Sequence, residues 1–343
     1  MMKNLPLRGT PLFMFIFLFL ACQKNTVNTN TQPKTSIYIS GSQGNSAGAD
    51  PVYWMDGNIQ KLHANANGYA SDILVSGSDI YATGSQESLS GYWKNNVFVI
   101  LPVKTIASTT GIAVSGNDVF VSGYEEDTTG FNFAEYWQNQ TSVRLSDTSV
   151  VGQANDIAFT GSDILVSGSV VPFSNHIQKA ALWKNGILHT LPDSGYGAVA
   201  ARIAIYNGDV YIAGSVGISS LSSYVPAYWR NDQLYILDGN PEAGDANSIA
   251  ISGSDVYVAG TLNKSGTGTA VFWKNHDRSP LTDGSYHAVA TDIAISGTDV
   301  YVTGYEFNSS NVPVAKYWKN GVPVVLSGSS YSSYATAIAV VSQ

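Results

Sequence analysis

Apolar and polar residues alternate along most of this chain with a period near two, and the alternation is cut at short intervals by dipeptides containing Gly or Asn. Strands require that period, because successive side chains point to opposite faces. From Ala290 to Leu326 the pattern predicts four short strands and no helix: A (Ile293 to Ser296), B (Val300 to Gly304), C (Ala315 to Lys319) and D (Val322 to Leu326). Gly297-Thr298 joins A to B, as Gly77-Ser78, Gly116-Asn117, Gly161-Ser162, Asn207-Gly208 and Gly253-Ser254 do in other copies. Asn320-Gly321 joins C to D, matched by Asn185-Gly186 and Asp56-Gly57. Such pairs supply the positive φ that primed hairpin turns need.

The unit recurs. Trp54, Trp93, Trp137, Trp183, Trp229, Trp273 and Trp318 hold one position in it and are spaced by 39 to 46 residues. Tyr317 and Trp318 are adjacent and so face opposite ways; six of the seven copies keep that aromatic pair, Leu182 being the exception. A sheet with bulk on both faces must be covered on both, which blades stacked around an axis achieve. Pro323 cannot donate to a ladder, which puts strand D at the outer edge, and small residues such as Ala294 and Ala250 suit strand A to the crowded axis. The first unit starts at strand B (Ser36 to Gly41), while an unpaired strand A closes the sequence at Ala335 to Val341. The expected fold is therefore all-β: a seven-bladed β-propeller of four-stranded antiparallel blades over residues 36–343, closed by pairing of its N- and C-terminal strands.

Residues 1–21 read as a signal peptide. A basic head with Lys3 and Arg8 precedes an apolar run from Leu12 to Ala21, about half the ~20 residues that span a bilayer. Cys22, the sole cysteine, follows Ala21 and resembles the modified residue of a bacterial lipobox, with Phe19 and Leu20 relaxing the usual pattern. That resemblance implies acylation of Cys22 and a lipid bilayer as partner, and Gln23 in place of Asp implies the outer membrane. Residues 22–35 are polar and aperiodic, a flexible tether. With one cysteine there is no internal disulfide, so packing and pairing must hold the ring.

The spacing A-x-x-I-A-x-S-G-x-D-V-Y-V-x-G, a variable gap, A-x-Y-W-K-N-G and a Leu resembles the extracellular HAF-type repeats, and its strand order is similar to kelch blades. Gly304, Gly260 and Gly123 stand alone where kelch repeats have a double glycine, so no kelch partner site carries over. The resemblance implies a bacterial envelope propeller more than any activity.

Charge narrows the partners. Lys and Arg are too few for a nucleic-acid groove; the formal charge is −8, and loss of Lys3 and Arg8 leaves −10. The B-to-C loops vary in length and content (after Gly84, Gly123, Gly168 and Gly214) and share a face with the D-to-A connectors, which carry Tyr69, Tyr196, Tyr286, Tyr331 and Tyr334 near Asp193, Asp245 and Asp283. That face is the expected ligand surface: the tyrosines either stack on a sugar or pack between blades with the hydroxyl at the rim. Asp79, Asp118, Asp163, Asp209, Asp255 and Asp299 recur singly after the A-to-B turns and read as turn caps, since one carboxylate per blade falls short of the six to eight oxygens calcium takes. His63, His176, His189, His276 and His287 lack metal-ligand spacing. The Glu125-Glu126-Asp127 run reads as solvated. No P-loop motif is present. Neither a metal nor a cofactor is expected. The function expected is a monomeric, non-catalytic binding or scaffolding module for a protein or glycan, and the alternative is a polysaccharide lyase or hydrolase acting through the loop face.

Overall fold

Twenty-eight strands in seven four-stranded antiparallel sheets make up the described residues of the computed structural model. These are residues 34–342 apart from 47, 65–66, 220, 222, 240, 265 and 329; the signal peptide, Cys22 and the tether as far as residue 33 lie outside them. The sheets are the blades of a seven-bladed β-propeller. Blade seven is representative: A is Ala288–Ser296, B Asp299–Phe307, C Pro313–Lys319 and D Val322–Val325, hydrogen-bonded in that order. Blades two to six span 68–100, 107–144, 150–190, 198–236 and 244–280. Strands A pack against one another around the axis, and every residue of the blade-seven strand D is exposed.

Blade one is composite. Its strand B (Thr35–Asn45) pairs with C (Gly48–Met55) on one side and with the last strand of the chain, Ser333–Ser342, on the other. Tyr38 lies opposite Ala339 and Ile39 opposite Ile338. Ring closure thus rests on a strand supplied from the far end of the sequence, as expected.

No single core exists. Seven clusters fill seven seams, each built from the tryptophan face of one blade and the opposite face of the one before, which presents tyrosine in six seams and Leu182 in the seam of Trp229. Trp137 of blade three packs with Tyr81, Tyr92 and Leu101 of blade two; Trp54 of blade one packs with Tyr301 of blade seven, closing the circle. All seven indoles are no more than 1% exposed. The leucine after each strand D folds back into the seam, its N–H donating to strand C, as Leu101 does to Ser90 O and Leu326 to Ala315 O.

Each strand A carries a β-bulge that the alternation pattern does not reveal; in blade seven it lies between Ala290 and Asp292. The extra residue points its side chain at the neighbouring blade: Thr110 Oγ1 donates to Ala154 O, Asn155 Nδ2 to Ala200 O, Asn247 Nδ2 to Ala290 O, Thr291 Oγ1 to Ala335 O and Thr336 Oγ1 to Ala70 O. A bulge bends its strand and frees one residue from the ladder, and here that residue bonds blade to blade near the axis. The bulge also explains the lone strand-B glycine. A Cβ on Gly304 would stand 2.0 Å from Val289 O.

Trp137→Ala is expected to lower unfolding free energy by about 3–5 kcal/mol, measured by denaturant titration, and removal of Ser333–Ser342 to convert cooperative unfolding into aggregation on expression.

Candidate binding face

The two ends of the disc are built differently. At one end each blade presents only its A-to-B and C-to-D turns, and a repeated triad ties them together. Asp299 Oδ2 lies 2.7 Å from Lys319 Nζ, its Oδ1 accepts from Asn320 Nδ2 at 2.9 Å, and Asn320 Oδ1 accepts the Val300 N–H at 2.8 Å. The same contacts join Asp79 to Lys94 and Asn95, Asp163 to Lys184 and Asn185, and Asp209 to Arg230 and Asn231. Asn320 at φ 52° is left-handed, which asparagine tolerates. The recurring aspartates therefore do more than cap their own turns: they bridge two turns, and both oxygens are occupied. The hydrogen bonds from Lys94 and Asn95 hold Asp79 below the usual carboxylate range.

The opposite end carries the B-to-C connections and D-to-A connectors. Part of the expected loop length is strand. In blade two, B and C run on to Gln86 and from Leu89, joined by Glu87-Ser88 with φ of 50° and 67°, so the connection is a tight hairpin, because pairing continues wherever the register allows both backbones to be satisfied. Longer loops remain in blades three, four and seven; in three and seven Asp127 Oδ1 accepts from Thr129 N and Phe131 N and Asn308 Oδ1 from Ser310 N and Val312 N.

The connector tyrosines reach solvent. Tyr196 is 61% exposed, Tyr331 50%, Tyr286 43% and Tyr69, which lies in strand A of blade two, 38%, so each residue is partly covered and partly in solvent. Tyr196 borders grooves of about 320 and 500 Å³ with Tyr224, Gln178 and Ser223. Tyr286 and Asp283 line a wide groove of about 800 Å³ with Asn308, Glu306 and Lys316. Tyr334 instead meets Tyr305 edge-to-face at 4.9 Å.

A smaller cavity of about 300 Å³ lies in blade three between the acidic loop and the connector from blade two. Glu125 is fixed there: its Oε1 accepts the N–H groups of Lys104 at 2.5 Å and Thr105 at 3.0 Å. Glu135, 7% exposed, has its pKa pushed up to about 7, first by burial and also by the adjacent Glu125, with the charge of Arg144 opposing. Glu125 thus sits in a built pocket and is not merely solvated. Glu135 went unnoticed in the sequence because it falls in an alternating strand two residues before Trp137.

A second buried cluster occupies the axis. Arg202, on strand A of blade five, reaches Asp72 of blade two at 2.9 Å and Asp156 of blade four at 3.4 Å, and so spans the hole in the ring. Asp72, Asp156 and Asp292 each pin the next strand A by accepting an N–H from Ile112, Ile203 and Ile338. Burial pushes Asp156 up to about 6 and raises Asp292, Arg202 opposing it, while the three aspartates raise Arg202 well above its usual range. Aligning the strands A shows these residues at the position after the bulge, a signal hidden while the bulge is unknown. The histidines stay apart: His287 Nδ1 accepts from Gly268 N at 3.1 Å, and among the described residues no three His, Cys, Asp or Glu side chains are grouped to hold a metal.

No family model matches the sequence, and no characterised protein matches it. Solved structures match by fold. The β-propeller domain of the trilobed protease from Pyrococcus furiosus aligns at TM-score 0.53 and 11% identity over 88% of this chain and 96% of that one. A puromycin-hydrolyzing peptidase from Mycobacterium tuberculosis aligns at 0.54 and 10% over 84% and 53%. An acylaminoacyl peptidase from Pyrococcus horikoshii aligns at 0.51 and 14% over 86% and 51%. The chain spans about half the length of those two peptidases. At such identities the shared property is the β-propeller fold.

Because Glu135 and Asp156 bind protons more tightly folded than unfolded, stability should be highest in mild acid and fall as pH rises through about 4 to 7. Thermal unfolding across pH 5 to 8 checks this, and Glu135→Gln should gain stability at pH 8, by at most about 3 kcal/mol.

Proposed function

We propose that this protein is a non-catalytic binding module whose loop face takes a glycan or protein ligand, held at the outer membrane by acylation of Cys22. The observation that carries the binding reading is the exposure of Tyr196, Tyr331, Tyr286 and Tyr69 on one end of a disc whose other end is tied shut. An exposed aromatic ring offers a flat apolar surface with a polar rim, and amides and carboxylates beside it can take sugar hydroxyls or peptide groups. Rigid scaffolds with such surfaces on their connections are suited to recognition. The alternative is a carbohydrate-active enzyme working through the same loop face. Cys22 after Ala21 supports the anchor; two or more acyl chains give stable membrane attachment.

On a glycan array and in partner pull-down, the double variant Tyr196→Ala/Tyr286→Ala is expected to lose binding tenfold or more while unfolding at the wild-type temperature; wild-type binding by that variant would overturn the tyrosine face. Cys22→Ala should move the protein from the membrane to the soluble fraction and abolish incorporation of labelled palmitate.

A further inference from the structure

Two of the seven blades break the repeat at the same place. Two residues before the tryptophan, five blades carry Val52, Gly91, Ala181, Ala227 or Val271, whereas blade three has Glu135 and blade seven Lys316. Packing of a seam therefore does not call for a charge there. The surroundings of the two departures correspond. Glu135 lies opposite Gly123 and Lys316 opposite Gly304 in strand B, and two residues beyond those glycines stand Glu125 and Glu306. The loops above are built alike, with Asp127 N–H donating to Phe131 O and Gly130 N–H to Asp127 O, as Asn308 N–H does to Val312 O and Asn311 N–H to Asn308 O.

Blade seven thus holds a counterpart of the blade-three site in which a lysine stands in place of Glu135, while Arg144, opposite Glu135, is matched by Val325 opposite Lys316. Its Lys316 Nζ lies 2.5 Å from Glu306 Oε2 and 6.0 Å from the centre of the Trp318 ring, so that site contains its own cation. In blade three a carboxyl replaces the lysine, and among the described residues neither Glu125 nor Glu135 forms an ion pair. The cavity of about 300 Å³ opens beside them.

We propose that the blade-three pocket binds a primary ammonium group, of a free amine or of a lysine side chain, in the place that Lys316 Nζ fills in blade seven. Glu125 from strand B and Glu135 from strand C supply the acceptors. Glu126 and Asp127 from the loop add negative charge, against Lys104 on the connector and Arg144 on strand D. Arg144 stands opposite Glu135 in the ladder and its charge favours the Glu135 carboxylate, but it forms no ion pair with it: its guanidinium stacks 3.6 Å over the Phe133 ring, and its Nε donates to Ser146 O at 2.8 Å. The ligand's alkyl stem would run along that Phe133 and Arg144 wall. Burial keeps a proton on Glu135 up to a pH of about 7, and the entering ammonium displaces that proton to solvent. Binding should therefore be linked to proton release below that pH. The site uses none of the exposed tyrosines, so its test is independent of theirs.

Isothermal titration of the whole protein with n-butylammonium chloride, and with an acetylated, amidated lysine as the second arm, is to be run at pH 5 to 8 in buffers of different ionisation enthalpy. Saturable binding is expected at pH 8, weakening about tenfold per unit below pH 7 with up to one proton released, while n-butanol does not bind. Binding by both probes marks a general ammonium site; preference for the lysine arm marks a protein partner. Glu135→Gln should lose binding at least tenfold. Glu135→Lys should lose it wholly and unfold at a higher temperature than wild type at pH 8, having restored the blade-seven arrangement; if it fails to fold, Glu135→Gln and Glu125→Gln decide. No saturable amine binding at pH 8, equal binding by n-butanol, or undiminished binding by Glu135→Gln would overturn the assignment.

Discussion

The structure depends on one contact made seven times: an indole from one blade pressed on the face of the blade before it, which bears tyrosine in six seams and leucine in the seam of Trp229. Each indole is completely buried, yet it is buried between two sheets and not within one. A blade alone would leave both its aromatic faces in water, so no blade is stable without two neighbours. The requirement is satisfied only when the row closes on itself. That is why the closing strand comes from the opposite end of the chain: pairing Ser333–Ser342 with Thr35–Asn45 makes the last seam inseparable from the first.

Around that contact the two ends of the disc serve different purposes. Where the turns are short, aspartate, lysine and asparagine bind hairpin to hairpin and fill one another's hydrogen-bonding capacity. Exposed ion pairs of this kind contribute little individually, but they fix geometry at turns whose residues already sit at positive φ. The other end has no such ties. Its connections run from a two-residue hairpin at Glu87-Ser88 to the six residues between Pro172 and Lys179, and there lie the exposed tyrosines and the irregular charges.

Architecture was largely legible in the sequence because it is written seven times: tryptophan spacing, turn dipeptides and Pro323 give blade number, strand order and closure. The bulge was not legible, since Thr291 or Asn155 adds one residue to a strand whose alternation still reads normally on either side. With it went the axial position shared by Asp72, Asp156, Arg202 and Asp292, whose meaning comes from seven strands converging, a relation no single repeat contains. Glu135 was visible in principle. Reading the repeats column by column, where five small or apolar residues face one Glu and one Lys, would have marked it, whereas reading along the chain meets it as one polar residue in a strand. Exposure of the connector tyrosines depended on how far strands B and C extend before turning, which residue type alone does not set.

Thr35 and Ser342 are cross-strand partners, and strand B begins where strand A ends, beside the short turns. The polypeptide therefore enters and leaves the disc at one pole. A segment grafted at Thr35 or Ser342 would join the ring on the side of the short turns, at the opposite end of the strands from the exposed tyrosines. The ring is in that respect arranged as a display scaffold could use it, with its points of attachment and its variable connections on opposite sides.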